Sequence, residues 1–230
     1  FATCSDDGTI KIWDFFKTQL GHQERTLEGH GWDVGCIDWH PQLPLIASGS
    51  KDSLVKLWDA RQGTILTTLH GHKNTIASVK WNRNGSWLLT GSRDQLIKLY
   101  DIRTMRPFQV FRGHTRDVTT MQWHPVQDNL FVSGSSGGAL YFWEAECGEP
   151  IAELASAHQG AIWDVDWHPV GHILASCSQD QSTKFWTRNR PGDPINERGE
   201  DDGGGFRKRN YQGDDDRPPK RFAQYSSYGR

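Results

Sequence analysis

An internal repeat of about 42 to 45 residues is the feature that most constrains how this chain can fold. A strand-like segment ends in an aromatic residue five times, at Trp13, Trp58, Tyr100, Trp143 and Trp186. A small residue followed by His precedes four of these segments, at 29–30, 71–72, 113–114 and 157–158. Each complete unit contains four short runs of alternating or clustered apolar residues, separated by turns such as SKDS and SRDQ. A period of this length with four strands per unit predicts the blades of a β-propeller.

The repeat covers residues 1–187, and the sequence enters it partway through a unit. Residues 1–14 supply the last two strands of one unit, and four complete units follow. We therefore predict an all-β fold, a β-propeller with about four complete blades plus part of another. Because the sequence starts with Phe1 inside the pattern, we interpret it as a piece of a longer chain. We expect an incomplete ring to expose one apolar blade face, which would weaken its stability when alone.

Polar residues recur at fixed places in each unit, and together with the aromatic positions they resemble the pattern of the WD-repeat family. In that family a His, a strand Ser or Thr, a turn Asp and the strand Trp form a hydrogen-bonded tetrad inside each blade. The resemblance maps these roles onto His30, Ser48, Asp52 and Trp58; His72, Thr90, Asp94 and Tyr100; His114, Ser133 and Trp143; His158, Ser176, Asp180 and Trp186. Two blades depart from the pattern, because Tyr100 replaces Trp in one and Gly137 replaces Asp in another. We expect the blade with Gly137 to be the least rigid.

No catalytic, metal or cofactor site is predicted by the sequence. The His and Asp residues recur once per unit, so a structural role explains them better than several active sites at once. The Trp-His-Pro triplets at 39–41, 123–125 and 167–169 occupy one equivalent turn, where we expect His to face solvent. Four scattered cysteines, Cys4, Cys36, Cys147 and Cys177, form no C-x-x-C pair and fit free thiols. We therefore predict a protein that is not an enzyme. We also predict that it does not enter a membrane, since no apolar run approaches ~20 residues.

Recognition by a propeller usually uses the loops at one mouth of the ring. The candidate partner-binding residues flank the tetrad His and Asp positions: Trp32, Asp33, Lys51, Lys73, Arg93, Arg116, Trp163 and Gln179. Trp32 and Trp163 are the strongest candidates, because exposed aromatic side chains beside charges are typical of interface hot spots. The alternative is that both pack against neighbouring loops.

Residues 188–230 differ from the repeat in composition. They are rich in Gly, Pro and charged residues and poor in aliphatic residues, which predicts a disordered tail that begins near Pro191 and Gly192. Aromatic residues alternate with Arg and Lys, as in segments that stack on single-stranded RNA, but acidic blocks at 200–202 and 214–216 oppose phosphates. The net charge of the whole chain, −2, provides no argument for a nucleic-acid surface.

The amino-acid sequences of several segments resemble those of the WD-repeat subunit of the nuclear pre-mRNA cleavage and polyadenylation machinery. The segments include FATCSDDGTIKIWDF, GHGWDVGCIDWHP and KFWTRNRPGD, of which the last is the most specific. The resemblance implies a nuclear, non-catalytic scaffold that sits on a larger propeller subunit and, with a zinc-finger subunit, supports recognition of the AAUAAA signal. It also places the RNA-reading residues of the family N-terminal to this sequence, so we expect pre-mRNA contact mainly through regions absent here.

A second interpretation depends on the segment 58–61, Trp-Asp-Ala-Arg, and on the less similar segment Tyr-Asp-Ile-Arg at 100–103. This segment resembles the box by which WD-repeat substrate receptors of cullin-type ubiquitin ligases contact their adaptor. The alternative is that each Arg pairs with a nearby carboxylate. A receptor for a cullin-type ligase is therefore the second functional hypothesis.

Overall fold

The computed structural model describes residues 1–14 and 22–188 and the strand at 222–225, and every regular element in these ranges is a β-strand. Strand-forming runs such as VKLW alternate residues that face the two sides of a sheet, and both sides are buried. Within the described ranges there is no helix long and apolar enough to cross a membrane. The fold is therefore all-β.

The strands form five antiparallel sheets, which we call blades 1 to 5 in chain order. Blade 1 consists of β1 (Ala2–Cys4), β2 (Ile10–Asp14) and β3 (His22–Leu27). Blade 2 consists of β4 (Val34–Trp39), β5 (Leu45–Ser50), β6 (Val55–Asp59) and β7 (Thr64–Leu69). Blade 3 consists of β8 (Ile76–Trp81), β9 (Trp87–Ser92), β10 (Ile97–Asp101) and β11 (Arg106–Phe111). Blade 4 consists of β12 (Val118–Trp123), β13 (Leu130–Ser135), β14 (Leu140–Glu144) and β15 (Pro150–Leu154). Blade 5 consists of β16 (Ile162–Trp167), β17 (Ile173–Ser178), β18 (Thr183–Arg188) and β19 (Phe222–Tyr225).

Neighbouring blades pack face to face and in chain order. The first strands of blades 2 to 5 contact one another in sequence, β4 with β8, β8 with β12 and β12 with β16, and β1 of blade 1 contacts β4. Between blades 4 and 5, for example, Val132, Leu140 and Phe142 meet Val165, Trp167 and Leu174 in one apolar cluster. The described strands of blade 5 do not pack on those of blade 1 as neighbouring blades do. The prediction of an all-β WD-repeat propeller is confirmed, and the described part of it is an arc of five blades.

Near the two ends of this arc, in blades 2 and 5, residues are exposed whose counterparts in the middle blades are buried. Trp39 is 37% exposed, whereas Trp81 and Trp123 are 6% and 7% exposed because the first strand of the preceding blade covers them. The indole N–H of Trp81 donates to the Asp38 carbonyl at 3.2 Å, which shows how that cover is made. At the other end Phe185 is 45% exposed, and its counterpart Phe142 is 1% exposed. Each blade therefore needs its neighbour to bury its apolar face.

Histidines of the Trp-His-Pro turns join one blade to the next, so the expectation that they all face solvent is wrong. His40 is 7% exposed, and its Nε2–H donates to the Gly85 carbonyl of blade 3 at 2.8 Å. The backbone N–H groups of Gln42 and Leu43 donate to His40 Nδ1, which leaves Nε2 as the protonated nitrogen. His124 pairs with the Gly171 carbonyl of blade 5 in the same way, at 2.9 Å. His168 is exposed as expected, because blade 5 is the last described blade.

The fourth strand of blade 5 comes from the segment for which we expected disorder. Phe222–Tyr225 pairs antiparallel with β18, with Ala223 opposite Thr187 and Tyr225 opposite Phe185. Expected disorder therefore does not hold for these four residues, because the free N–H and C=O groups along β18 are a template for another strand. The proposed boundary after residue 187 falls one residue before the end of β18, and the rest of the expected tail lies outside the described residues.

Candidate functional site

A left-handed turn places the Asp of each tetrad at one edge of its blade. The turn between the second and third strands of blades 2 to 5 has one residue with positive φ, namely Ser53 (66°), Gln95 (69°), Gly138 (81°) and Gln181 (65°), and Gly8 (80°) occupies the equivalent turn between β1 and β2 of blade 1. In blade 2 the preceding residue, Asp52, accepts a hydrogen bond from Leu54 N–H across the turn at 2.9 Å. Its other oxygen is then free to face the loop that carries the tetrad His.

Blade 2 contains a complete tetrad. Trp58 Nε1–H donates to Ser48 Oγ at 2.7 Å, and Ser48 Oγ lies 2.7 Å from His30 Nε2. His30 Nδ1 lies 2.9 Å from Asp52 Oδ2, which also accepts the Gly31 N–H at 3.1 Å. The chain of hydrogen bonds thus ties a buried Trp to the loop and the turn at the edge of the blade. Blade 5 repeats it with Trp186, Ser176, His158 and Asp180, at 2.9, 2.7 and 3.0 Å.

Blade 3 has the tetrad without its aromatic member. His72 lies 2.9 Å from both Asp94 Oδ2 and Thr90 Oγ1. The hydroxyl of Tyr100 donates instead to the His70 carbonyl at 3.4 Å, so the assignment of Tyr100 to the tetrad is wrong. The hydroxyl of Tyr100 meets the loop before the tetrad His, whereas the indole N–H of Trp58 reaches the strand hydroxyl of Ser48.

Blade 4 keeps three members of the tetrad and leaves a gap at the fourth. His114 Nε2 lies 2.6 Å from Ser133 Oγ, which accepts Trp143 Nε1–H at 2.7 Å. His114 is 7% exposed, and its Nδ1 has no hydrogen-bond partner in the part of the chain that the structure describes. Gly137 stands at the position of Asp and supplies no carboxylate. The other tetrad histidines each face an Asp, so among the four described tetrads only that of blade 4 leaves its His Nδ1 unsatisfied.

The protonation of the tetrads follows from burial and hydrogen bonding. Burial lowers the pKa of His30 and His72, although the hydrogen bonds that these rings donate to Asp52 and Asp94 oppose this effect. Burial by itself would raise the pKa of Asp52, but hydrogen bonds from His30, Leu54 and Gly31 lower it below its ordinary value. His114 has burial without a carboxylate, which lowers its pKa to about 3. Near neutral pH the tetrad His side chains are therefore neutral and the tetrad Asp side chains are ionised.

The candidate partner-binding residues lie on the edge of the blades that the tetrads organise, which we call the rim. The loop and turn of blade 2 are joined by the Lys51 N–H, which donates to the Asp33 carbonyl at 2.9 Å. The Lys51 ammonium lies 3.4 Å from Asp33 Oδ2 and 5.0 Å from the centre of the Trp32 ring. Trp32 is 56% exposed, so its packing leaves more than half of the side chain in solvent.

The other candidates do not form one cluster with Trp32. Trp163 is 61% exposed and lies at the start of β16, on the strand of blade 5 that faces the inside of the arc. Arg93, Arg116 and Gln179 are exposed, each in the loop or turn of its own blade. Because each of these residues belongs to a different blade, they lie apart from one another along the rim. The rim is therefore a row of separate exposed groups.

A groove between blades 3 and 4 contains charges that the sequence analysis missed. It has a volume of about 560 Å³ and is lined by Lys73, Asp94, Lys98, Arg112 and His114 among others. Lys98 Nζ donates to the Gly71 carbonyl at 2.7 Å, and burial lowers the pKa of Lys98. Only Lys73 of the three cations was a candidate, because Lys98 lies inside a strand. The sequence signal was a Lys in the middle of an otherwise apolar run, IKLY.

The described residues contain no group of three or more His, Cys, Asp or Glu side chains that could hold a metal ion. All four cysteines are free, and burial raises the pKa of Cys36 to about 12. The hydroxyl, imidazole and carboxylate groups of the tetrads in blades 2 and 5 are hydrogen-bonded to one another. This arrangement positions loops rather than reacting groups.

Comparison with known proteins agrees with this architecture. Residues 10–187 match the family model described as "Nucleolar protein 10-like, N-terminal domain", a β-propeller model, and residues 1–14 match the model "WD domain, G-beta repeat". Polyadenylation factor subunit 2 of Gibberella zeae is 44% identical over 211 residues, which cover 80% of this chain and 34% of that protein. The Neurospora crassa protein of the same name is 45% identical over 217 residues, which cover 82% of this chain and 32% of that protein. The Cryptococcus neoformans protein of that name is 52% identical over 194 residues, which cover 83% of this chain and 27% of that protein.

The chain thus spans about a third or less of the length of these three relatives. The sequences of several segments predicted a resemblance to the WD-repeat subunit of the polyadenylation machinery. The names of these relatives confirm that resemblance. The matched residues include almost all of the described blades. The chain belongs to the WD-repeat β-propeller family and is related to the proteins named polyadenylation factor subunit 2.

Proposed function

We propose that this chain is a non-catalytic scaffold in nuclear pre-mRNA 3′-end cleavage and polyadenylation. The observation that carries the proposal is the identity of 44% and 45% to two proteins named polyadenylation factor subunit 2, over 80% and 82% of this chain. A match of that length extends beyond the positions that every WD repeat shares. Because the chain spans 34% and 32% of those proteins, their role is carried over as a proposal.

The geometry supports a role in holding partners rather than in chemistry. In blades 2 and 5 the tetrads use their hydroxyl, imidazole and carboxylate groups to fix the loops of the rim. Fixed loops lose little conformational entropy when a partner binds, which favours affinity. The partners we propose are the larger propeller subunit and the zinc-finger subunit of the polyadenylation specificity complex. Contact with pre-mRNA and the AAUAAA signal is assigned mainly to regions outside this sequence.

Within the rim, we propose that Trp32 and Trp163 are anchors for protein partners. They are 56% and 61% exposed, and Trp32 lies beside a Lys–Asp pair. The remaining candidates, Asp33, Lys51, Lys73, Arg93, Arg116 and Gln179, would form the polar surroundings that such anchors require. Aromatic side chains with an adjacent cation contribute most to protein interfaces when the partner removes water from them.

Affinity purification of the natural full-length protein from nuclear extract, followed by mass spectrometry, tests the proposal. We expect cleavage and polyadenylation subunits to copurify, and the double variant Trp32→Ala and Trp163→Ala to reduce their recovery. A matched control replaces Val126 and Val170 by Ala, since these are 61% and 66% exposed and lie in the turns between first and second strands. Purification without any polyadenylation subunit would refute the proposal, and equal recovery with both double variants would refute the role of the two Trp residues.

The second hypothesis, a substrate receptor for a cullin-type ubiquitin ligase, is favoured by one observation. Arg61 is exposed, and it has no ion pair within the described part of the chain. Arg103, in contrast, pairs with Asp101 at 2.7 Å, as the structural alternative expects. Recovery of a cullin adaptor in the same purification, lost with Arg61→Ala and retained with Arg103→Ala, would support this hypothesis instead.

A further inference from the structure

The gap in the blade 4 tetrad has the chemistry of a binding site. In blades 2, 3 and 5 the tetrad His faces a carboxylate oxygen at 2.9, 2.9 and 3.0 Å. In blade 4 His114 Nδ1 has no partner among the described residues, although His114 is more than nine-tenths buried. A buried polar atom without a hydrogen bond costs about 1–3 kcal/mol, so an external group that satisfied it would be bound.

The direction of the hydrogen bonds makes His114 Nδ1 a donor. Trp143 Nε1–H can only donate, so Ser133 Oγ accepts from it and uses its own proton for His114 Nε2. With Nε2 as the acceptor, the neutral ring carries its proton on Nδ1. Burial lowers the pKa of His114, which keeps the ring neutral. The missing partner is therefore a hydrogen-bond acceptor.

The groups around the gap fit an anionic acceptor. In the complete tetrads the Asp also accepts the N–H of the residue after His, such as Gly31 at 3.1 Å. The corresponding Thr115 N–H has no hydrogen bond within the described residues. Arg116 is exposed, and its guanidinium has no ion pair in the same ranges. Three N–H donors or cationic groups therefore surround a position that lacks an acceptor.

The position is reachable from solvent once one side chain moves. Gly137 is exposed, and a Cβ built on it would lie 3.0 Å from Arg116 Cγ. The stem of Arg116 thus covers the gap, and a change of rotamer at this exposed residue would uncover it. The same change can bring the guanidinium to the bound anion.

We propose that blade 4 binds a carboxylate from an Asp or Glu side chain of a protein partner. The carboxylate accepts from His114 Nδ1–H and Thr115 N–H and pairs with Arg116, so that the partner completes the tetrad. This inference is independent of the polyadenylation role, because it depends only on the geometry of the blade. A carboxylate is favoured over water because the tetrad His of blades 2, 3 and 5 faces a carboxylate at the equivalent place.

The test uses formate as a minimal carboxylate and the full chain with ¹⁵N-labelled histidine. We expect formate, but not chloride at equal ionic strength, to shift the His114 Nδ1–H resonance in a saturable way. At ten times its dissociation constant, formate should raise the midpoint of thermal unfolding by about 3–6 °C. A peptide Ac-Gly-Asp-Gly-NH₂ should compete with formate, whereas Ac-Gly-Asn-Gly-NH₂ should compete much less.

Two variants separate this site from general salt effects. Gly137→Asp supplies the carboxylate internally and should abolish both responses to formate. His114→Gln removes the imidazole donor and should abolish the thermal response. The proposal is overturned if chloride acts like formate, if either variant keeps the thermal response of the wild type, or if formate binds but the Asp peptide does not compete.

Discussion

The Nε2–H of His40 in blade 2 donates to the backbone carbonyl of Gly85 in blade 3, 45 residues later in the chain, at 2.8 Å. Gly85 has φ of 72°, and a Cβ on it would lie 2.7 Å from the His40 ring. The imidazole also packs edge-on against Trp81, with ring centres 4.7 Å apart. One buried side chain therefore joins two blades through both polar and apolar contacts.

Removing this link should destabilise the propeller. We expect His40→Ala to lower the free energy of unfolding by about 2–4 kcal/mol, because it deletes a buried ring and leaves backbone groups unpaired. Urea denaturation followed by Trp fluorescence measures the change. His168→Ala is the matched control, since His168 occupies the equivalent turn but is exposed, and it should change stability by less than about 0.5 kcal/mol. Equal effects of the two substitutions would contradict the link.

Completing the blade 4 tetrad should stabilise the protein. Gly137 does not have positive φ, and only the flexible Arg116 side chain would have to move for a Cβ. We expect Gly137→Asp to raise the free energy of unfolding by about 1 kcal/mol, since it satisfies His114 Nδ1. The reverse change in blade 3, Asp94→Gly, should lower it by about 1–3 kcal/mol. A destabilising Gly137→Asp, measured by urea denaturation, would show that the gap is adapted to another arrangement.

Blade 4 should also open more often than blade 3. Its turn at 135–139 lacks the carboxylate that joins turn and loop in blade 3. We expect the amides of the 133–139 segment to exchange hydrogen faster than those of the 90–96 segment, by mass spectrometry under native conditions. The Gly137→Asp variant should slow exchange in the first segment only. Equal protection of both segments in the wild type would refute the expectation.

Stability should fall in acid partly through His114. The pKa of His114 is lowered to about 3 in the folded protein from 6.5, so the unfolded chain binds a proton more readily. The stabilisation is complete above about pH 6.5 and is lost as pH falls towards the folded pKa, by up to about 1.4 kcal/mol per pH unit. Urea midpoints at pH 7.5 and 5.0 should differ less in His114→Gln than in the wild type. An unchanged difference would assign the acid sensitivity to other groups.

The strand β19 should protect blade 5. Ala223→Pro removes a backbone N–H and should weaken the pairing of Phe222–Tyr225 with β18. We expect faster hydrogen exchange at the amides of β18, detected by mass spectrometry. Gln212→Pro, outside the described residues, serves as the control and should leave β18 unchanged. No change with either substitution would mean that this edge is not covered by β19 in solution.

The sequence could predict what recurs within one unit. Strand positions follow from the alternation of apolar residues, and the turns follow from residues such as Asp52 and Ser53. The departure at Gly137 was visible as well, because the other four units carry Asp there. These features repeat at a fixed spacing, so one unit is a template for the next.

The tertiary structure alone decided which groups meet between units. The partner of His40 lies in the next blade, the Tyr100 hydroxyl reaches a loop carbonyl, and β18 pairs with a strand more than thirty residues away in sequence. None of these pairs has a local pattern, because each depends on where segments that are far apart in the sequence come to lie in the assembled fold. The strands and turns of a blade were therefore determined by sequence, since alternation and local turn residues specify them, and the tetrad and its gap followed from the resemblance to the WD-repeat family. The inter-blade links, the exposed ends and the fourth strand of blade 5 depended on packing, since burial is decided only when the sheets are assembled.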